Sequence, residues 1–169
     1  MKNLITGVVA GLIVFAWMMF SWMALPFHAK LVNTFQNEAI VMQALKTGAP
    51  ESGIYAYPGM KDGAEKAKTG PMIFTSIYRG GKQMPVCMAK AVGIQSLIGF
   101  LLTLLLVRAK LPGFKEKMGF ILLAVSFAGA VALLPNWNWW SFPLAFVALD
   151  FADLLIGWGL AGLWITRRV

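Results

Sequence analysis

The sequence predicts an all-α membrane protein, a four-transmembrane-helix bundle with a small α+β lid made of an amphipathic helix and a β-hairpin. Three observations predict it. The chain is 59% hydrophobic and only 13% charged, whereas soluble domains run near ~45–50% and ~25%. Four apolar runs reach or approach the roughly 20 residues that a membrane helix needs. The basic residues gather at the ends of those runs, where a membrane protein places them. At 169 residues the chain is too short for two sizeable domains and reads as a single integral membrane domain. The formal net charge of +8 is spread over several run ends rather than one patch, so it does not point to nucleic acid. Cys87 is the single cysteine, which excludes an internal disulfide.

The first predicted span is 4–27, "LITGVVAGLIVFAWMMFSWMALPF". A secretory signal has a shorter apolar core and a small-residue cleavage site; this run has no clear A-x-A and reads as a retained span. The lid insertion covers 28–85. From His28 to Lys46, Leu31, Phe35, Met42 and Leu45 recur near helical spacing, with Thr47 and Gly48 as a stop. "SGIYAYPG" and "GPMIFTSIYRGG" are β-branched and aromatic and are bounded by Gly and Pro, the pattern of two strands. The polar turn "MKDGAEKAKTG" joins them. A lone hairpin is marginal in water, so it is expected to rest on the lid helix or on the membrane face of the bundle. The remaining spans are predicted at 86–107, 119–134 and 144–165. The third is short and needs its flanks to cross. No internal repeat or low-complexity tract is visible.

Orientation follows from Lys and Arg in short connections. "RAKLPGFKEK" holds Arg108, Lys110, Lys115 and Lys117, the C-terminus carries Arg167 and Arg168, and the N-terminus carries Lys2. "PNWNWWSFP" carries no charge. These signals agree on cytoplasmic N- and C-termini and a lid on the outer side of the membrane. Trp137, Trp139 and Trp140, with Trp22 at the same level, then form an outer interfacial belt. The eight basic residues from Lys30 to Lys90 lie in a long connection, where the rule counts weakly.

The stretch "VALDFADLL" poses the chemical question, because it puts Asp150 and Asp153 inside the fourth span. Their i, i+3 spacing places them on one helix face, and Gly157 and Ala161 continue that face. Phe146, Leu149, Phe151, Leu155 and Trp158 occupy the opposite side. The acidic-then-small stripe is expected to face the bundle interior, with Gly7 and Gly11 of the first span as a matching notch. At about 1.5 Å per residue from Pro143, Asp150 lies roughly 10 Å deep and Asp153 about 15 Å. A charged aspartate at the centre costs about 2.5–3.5 kcal/mol on insertion scales. Gln95, Ser126 and Ser96 are the expected partners at that depth, and Lys90 is nearer the surface. With no Lys or Arg at the same level, one carboxyl is expected to carry a proton and donate a hydrogen bond. The pair serves either as interhelical polar glue or as a proton- or cation-handling site.

Two further groups carry possible chemistry. Met84, Cys87 and Met88 cluster outside the second span, and His28 leaves the first span at the same level. Soft sulfur ligands with one imidazole suit Cu(I), against the plainer reading that they pack. Tyr55, Tyr57 and Tyr78 on the hairpin offer a binding face or a small strand core, and Lys61, Lys66 and Lys68 a contact for anionic lipid headgroups. H-E-x-x-H, G-x-S-x-G, C-x-x-C and Walker motifs are absent from the sequence, and one histidine excludes a bis-histidine haem within the chain.

On "GIYAYPG", "GPMIF", "NWNWWSFP" and "DLLIGWGLAGL", the chain resembles a group of small four-span bacterial inner-membrane proteins described only as hypothetical membrane proteins. The resemblance covers most of the chain. It implies the topology, a bacterial origin, and a lid and tryptophan-rich turn that belong together; it implies no activity or cofactor. The combined expectation is a non-enzymatic accessory or interaction protein without a cofactor, contacting membrane lipids and able to form a homo-oligomer or join a larger membrane complex. The alternatives are a small proton- or cation-coupled transporter using Asp150 and Asp153, and a periplasmic-face copper-binding protein.

Overall fold

A computed structural model describes residues 1–59, 63–66 and 68–169. The chain is mostly helical. Its elements run α1 (Lys2–Ala24), α2 (Phe27–Leu31), α3 (Glu38–Gly48), β1 (Gly53–Tyr57), α4 (Gly63–Lys66), β2 (Ile73–Ile77), α5 (Met84–Ala109), α6 (Phe114–Trp140) and α7 (Leu144–Ile165). Helices α1, α5, α6 and α7 are each long and apolar enough to cross a membrane. They alternate in direction, so the lid and the α6–α7 connection share one end.

The four long helices pack in the order α5, α1, α7, α6. Consecutive α5 and α6 barely touch. The central positions of α1 and α7 follow from their small residues. Gly7, Ala10, Gly11 and Val14 on α1 are buried, as are Gly157, Ala161 and Gly162 on α7. The α1–α5 crossing is backbone against backbone. A Cβ added at Gly7 would lie 2.3 Å from the Phe100 Cα, and one at Gly99 would lie 2.3 Å from the Gly7 carbonyl oxygen. Van der Waals packing of small residues drives such crossings in lipid, where apolar burial alone gains little. The Gly7/Gly11 notch therefore receives α5, not the acidic stripe of α7. That stripe does turn inward, against Val14 and Trp17 of α1. The side of α7 expected to be outermost is also packed: Trp158 is buried, and Phe151 and Leu154 sit over Gly129 of α6. A helix between two neighbours needs two packing faces, and one apolar side was too narrow a reading.

Two elements differ from the sequence expectation. Helix α6 has 27 residues and runs through Pro135 to Trp140, so Trp137, Trp139 and Trp140 lie on its last turns rather than in a loop. It ends where Ser141 adopts a left-handed conformation, φ 55°, and its N–H bonds back to the Asn136 carbonyl, a common helix stop. The expected lid helix from His28 to Lys46 is two helices. Residues 32–37, "VNTFQN", break it, because β-branched and Asn side chains are poor helix formers. The Asn37 side chain then restarts the helix as a cap, accepting from the Ile40 N–H at 3.1 Å. Phe35 falls in the break and is exposed.

The expected hairpin is present, with Gly53 opposite Ile77 and Tyr57 opposite Ile73 in an antiparallel pair. Its connection includes the short helix α4. Lys61 and neighbouring residues of the polar turn lie outside the described residues. Phe74 of β2 stacks on Trp140 of α6, with ring centroids 3.9 Å apart. The Arg79 guanidinium donates to the carbonyls of Leu45 and Ala49 at the C-terminal end of α3, where a cation also suits the helix dipole. The hairpin thus rests on both the lid helix and the bundle.

Gly99→Leu forces α1 and α5 apart and is expected to lower stability by at least about 1–3 kcal/mol. Gly93→Ala, whose Cβ meets nothing, is expected to be neutral or to add about 0.5–1 kcal/mol. Unfolding midpoints in detergent micelles check both.

Candidate functional site

Trp17 and Ser21 are spaced i, i+4 on α1, so both look at one neighbour. Val14 and Trp17 pack against Gly157, whose missing side chain gives the indole room. One turn nearer the lid end, Asp153 projects from α7 into the same face. Leu25 is extended and Pro26 then opens α2, turning the chain back so that His28 enters the bundle instead of leaving it. His28 is 2% exposed, Ser21 1% and Asp153 3%.

These residues form one network. The Trp17 Nε1–H donates to Asp153 Oδ1 at 3.2 Å. The Ser21 hydroxyl lies 2.8 Å from Oδ1 and 2.7 Å from Oδ2 and shares its one proton between them. His28 Nε2 is 2.9 Å from Oδ2, within hydrogen-bond distance. The Trp22 ring covers the imidazole, with centroids 4.0 Å apart. Trp17 and Ser21 donate to the carboxyl, and His28 completes the ring of side chains around it. His28 supplies a group able to carry the compensating charge that was not found among Lys and Arg.

The partners also come from a different side than expected. Gln95 lies on α5, behind α1; its side-chain oxygen is buried without a hydrogen-bond partner among the described residues. Ser126 lies half-buried on α6. Neither is bonded to Asp153, nor does Lys90 reach it. The physical reason is the helix order: α1 separates α5 from α7, and depth along a helix says nothing about which helix is adjacent. Asp150, one turn nearer the lid, is half-buried and makes no hydrogen bond among the described residues, though it lies within electrostatic reach of His28 and Asp153. The two aspartates are therefore unequal. Trp17 and Ser21 were the residues missed. Their signal was a Trp–Ser i, i+4 pair in an otherwise oily span, with a proline set before the lone histidine.

The remaining candidates lie elsewhere. Half-buried Cys87 lines a cleft of about 450 Å³ with Tyr78, Lys82 and Lys90, and Met84 and Met88 are exposed. His28 Nε2 is held by Asp153, in separate surroundings. Among the described residues no group of three or more His, Cys, Asp or Glu side chains could hold a metal ion. The lysine nitrogens beside Cys87 add positive charge to its cleft. Trp22, Trp137, Trp139 and Trp140 are all substantially exposed and sit at the lid end. Tyr55 is turned to its own loop, its hydroxyl donating to the Glu51 carbonyl at 2.9 Å, while Tyr57 and Tyr78 are exposed.

Chemically, the network can fasten two helices and a re-entrant turn. It is not arranged as a nucleophile triad, because the Ser21 proton goes to the carboxylate and not to the imidazole. One atom is left over: His28 Nδ1 is buried without a partner. Comparison of the chain with protein-family models, curated proteins and solved structures gives no match.

Removing Asp153 leaves Trp17, Ser21 and His28 without their shared buried partner. Asp153→Ala is expected to cost about 3–5 kcal/mol, the range for breaking a buried pair. Asp150→Ala is expected to change stability by under about 1 kcal/mol. Thermal unfolding of the two variants in the same detergent separates them.

Proposed function

We propose that this chain is a non-enzymatic integral protein of a bacterial inner membrane, with an accessory or interaction role, in which the Asp153 network is a structural fastener. Both termini are cytoplasmic and the lid is periplasmic. The four apolar helices support the membrane setting. The sidedness rests on Arg108, Lys110, Lys115, Lys117, Arg167 and Arg168 at one end and on the uncharged α6–α7 connection at the other.

The observation that carries the reading is the closure of the network. His28, Ser21 and Asp153 are all nearly inaccessible, and three side chains converge on one carboxyl group. A proton or ion pathway needs a hydrated route to its carboxylate. A fastener needs the opposite, since low dielectric strengthens its hydrogen bonds. What it fastens is the lid root. His28 sits at the start of the lid, so its bond to α7 sets where α2 and everything after it leave the membrane. The lid then presents exposed apolar side chains, including Ile40 and Met42 of α3, suited to lipid or to a partner in the same membrane.

A second reading is kept for one observation. The unpartnered Nδ1 of His28, with Asp150 nearby, is the arrangement of a proton-handling pair.

Full-length protein in proteoliposomes with an entrapped pH dye distinguishes the two. The fastener reading expects no proton flux above empty vesicles, with or without Asp153→Asn. It also expects His28→Ala to make the α1–α3 connection more susceptible to protease. Uncoupler-independent flux lost in Asp153→Asn, with the protease pattern unchanged, establishes the proton reading instead.

A further inference from the structure

A groove separates the two helices that adjoin in sequence but not in space. It lies between α5 and α6 over α7, with walls that include Ile98, Leu101, Leu105, Ala128, Ala132 and Trp158. Its lining is almost wholly aliphatic. Ile98, Leu101 and Leu105 are exposed, so it opens sideways to what surrounds the bundle. Its volume is about 310 Å³. That is space for roughly ten methylene groups, taking each as about the ~30 Å³ of a water molecule in the liquid. It suits one hydrocarbon chain and is too small for a helix.

The mouth of this groove carries the opposite chemistry. The α5–α6 connection brings Arg108, Lys110 and Lys115 to one end, all exposed and making no hydrogen bond among the described residues. Lys117 is already engaged, donating to the Val169 carbonyl oxygen at 2.5 Å. The one acid there, Glu116, folds back over Gly113. Along α5 the groove begins about 7 Å from Lys110, and along α6 about 13 Å from Lys115, at about 1.5 Å per residue. Both distances fall within the roughly 15 Å of one leaflet's hydrocarbon half. Cations at headgroup level stand above an aliphatic slot at tail level.

We propose that this groove is a binding site for an anionic phospholipid. One acyl chain fills the slot against Ala128, Ala132 and Trp158, and the phosphate rests on Arg108, Lys110 and Lys115. The lipid supplies the packing that α5 and α6 do not give each other. The site needs the helices to be in a bilayer, as proposed above, and is independent of the Asp153 fastener.

The test is native mass spectrometry of the full chain, purified and exchanged into mixtures of dioleoyl phosphatidylglycerol and dioleoyl phosphatidylcholine. One phosphatidylglycerol is expected to stay bound in preference to phosphatidylcholine. Lys110→Gln and Lys115→Gln are each expected to reduce that preference roughly fivefold, the worth of one interfacial cation. Ala128→Leu with Ala132→Leu fills the slot and is expected to abolish retention; the charge variants, which leave the core intact, keep the test valid if that protein fails to fold. Inorganic phosphate is expected not to displace the lipid. Equal retention of the two lipids, indifference to the charge variants, displacement by phosphate alone, or cross-linking of Ala128→Cys to a second copy of the chain in lipid would each overturn the proposal. Failure of the chain to enter a bilayer would instead defeat the membrane reading on which it rests.

Discussion

One carboxylate organises the lid end of this bundle. Asp153 sits among apolar helices, where an unpaired charge is far costlier than in water. The fold answers with donors from two separate elements, Trp17 and Ser21 from α1 and His28 from α2. Each constrains something different. The indole and hydroxyl set the rotation of α1 against α7. The imidazole holds the turn at Pro26 in a re-entrant course. Hydrogen bonds in such surroundings are directional as well as strong, so the network specifies geometry that general apolar packing leaves open.

The same helix pair is tied again at its other end. The Trp164 indole N–H of α7 donates to the Thr6 carbonyl of α1 at 3.1 Å. Between the two ties, Gly157 admits Trp17, and Ala10, Val14 and Ala161 are buried. Small residues let the backbones come near, and proximity lets short polar side chains reach across. Glycine plays the same part on the other side of α1, where Gly7, Gly11 and Gly99 bring α5 into backbone contact. α1 is therefore the hub, joined to α7 by polar ties and to α5 by close packing. α6 packs mainly on α7, with Phe74 of the lid stacked on its last turn, and this leaves the slot between α5 and α6.

The lid depends on that frame. Its entry is fixed by His28, and its hairpin meets the bundle again through Phe74 on Trp140. Arg79 closes the C-terminal end of α3 from the far strand. These contacts give a two-stranded sheet the external support that it needs to persist. They also give Trp140 two tasks, one toward the membrane surface and one toward the lid.

Composition and hydropathy determined the four long helices, their alternation and the hairpin, because these follow from local apolar length and from period-two patterning. The inward face of α7 was legible too, since a stripe with Asp153, Gly157 and Ala161 has no favourable place in lipid. The break at 32–37 was less so: Leu31 and Phe35 kept a helical rhythm while Asn37 offered a better cap. The partners of Asp153 were not legible at all. Depth along a span can be counted from the sequence, but the order α5, α1, α7, α6 is a property of three-dimensional packing. That order put Gln95 and Ser126 on helices that do not approach the carboxylate. It brought in His28, which sequence position alone assigns to the surface. Local chemistry dictated which groups needed a partner, and only the arrangement of helices around α1 decided which group each one met.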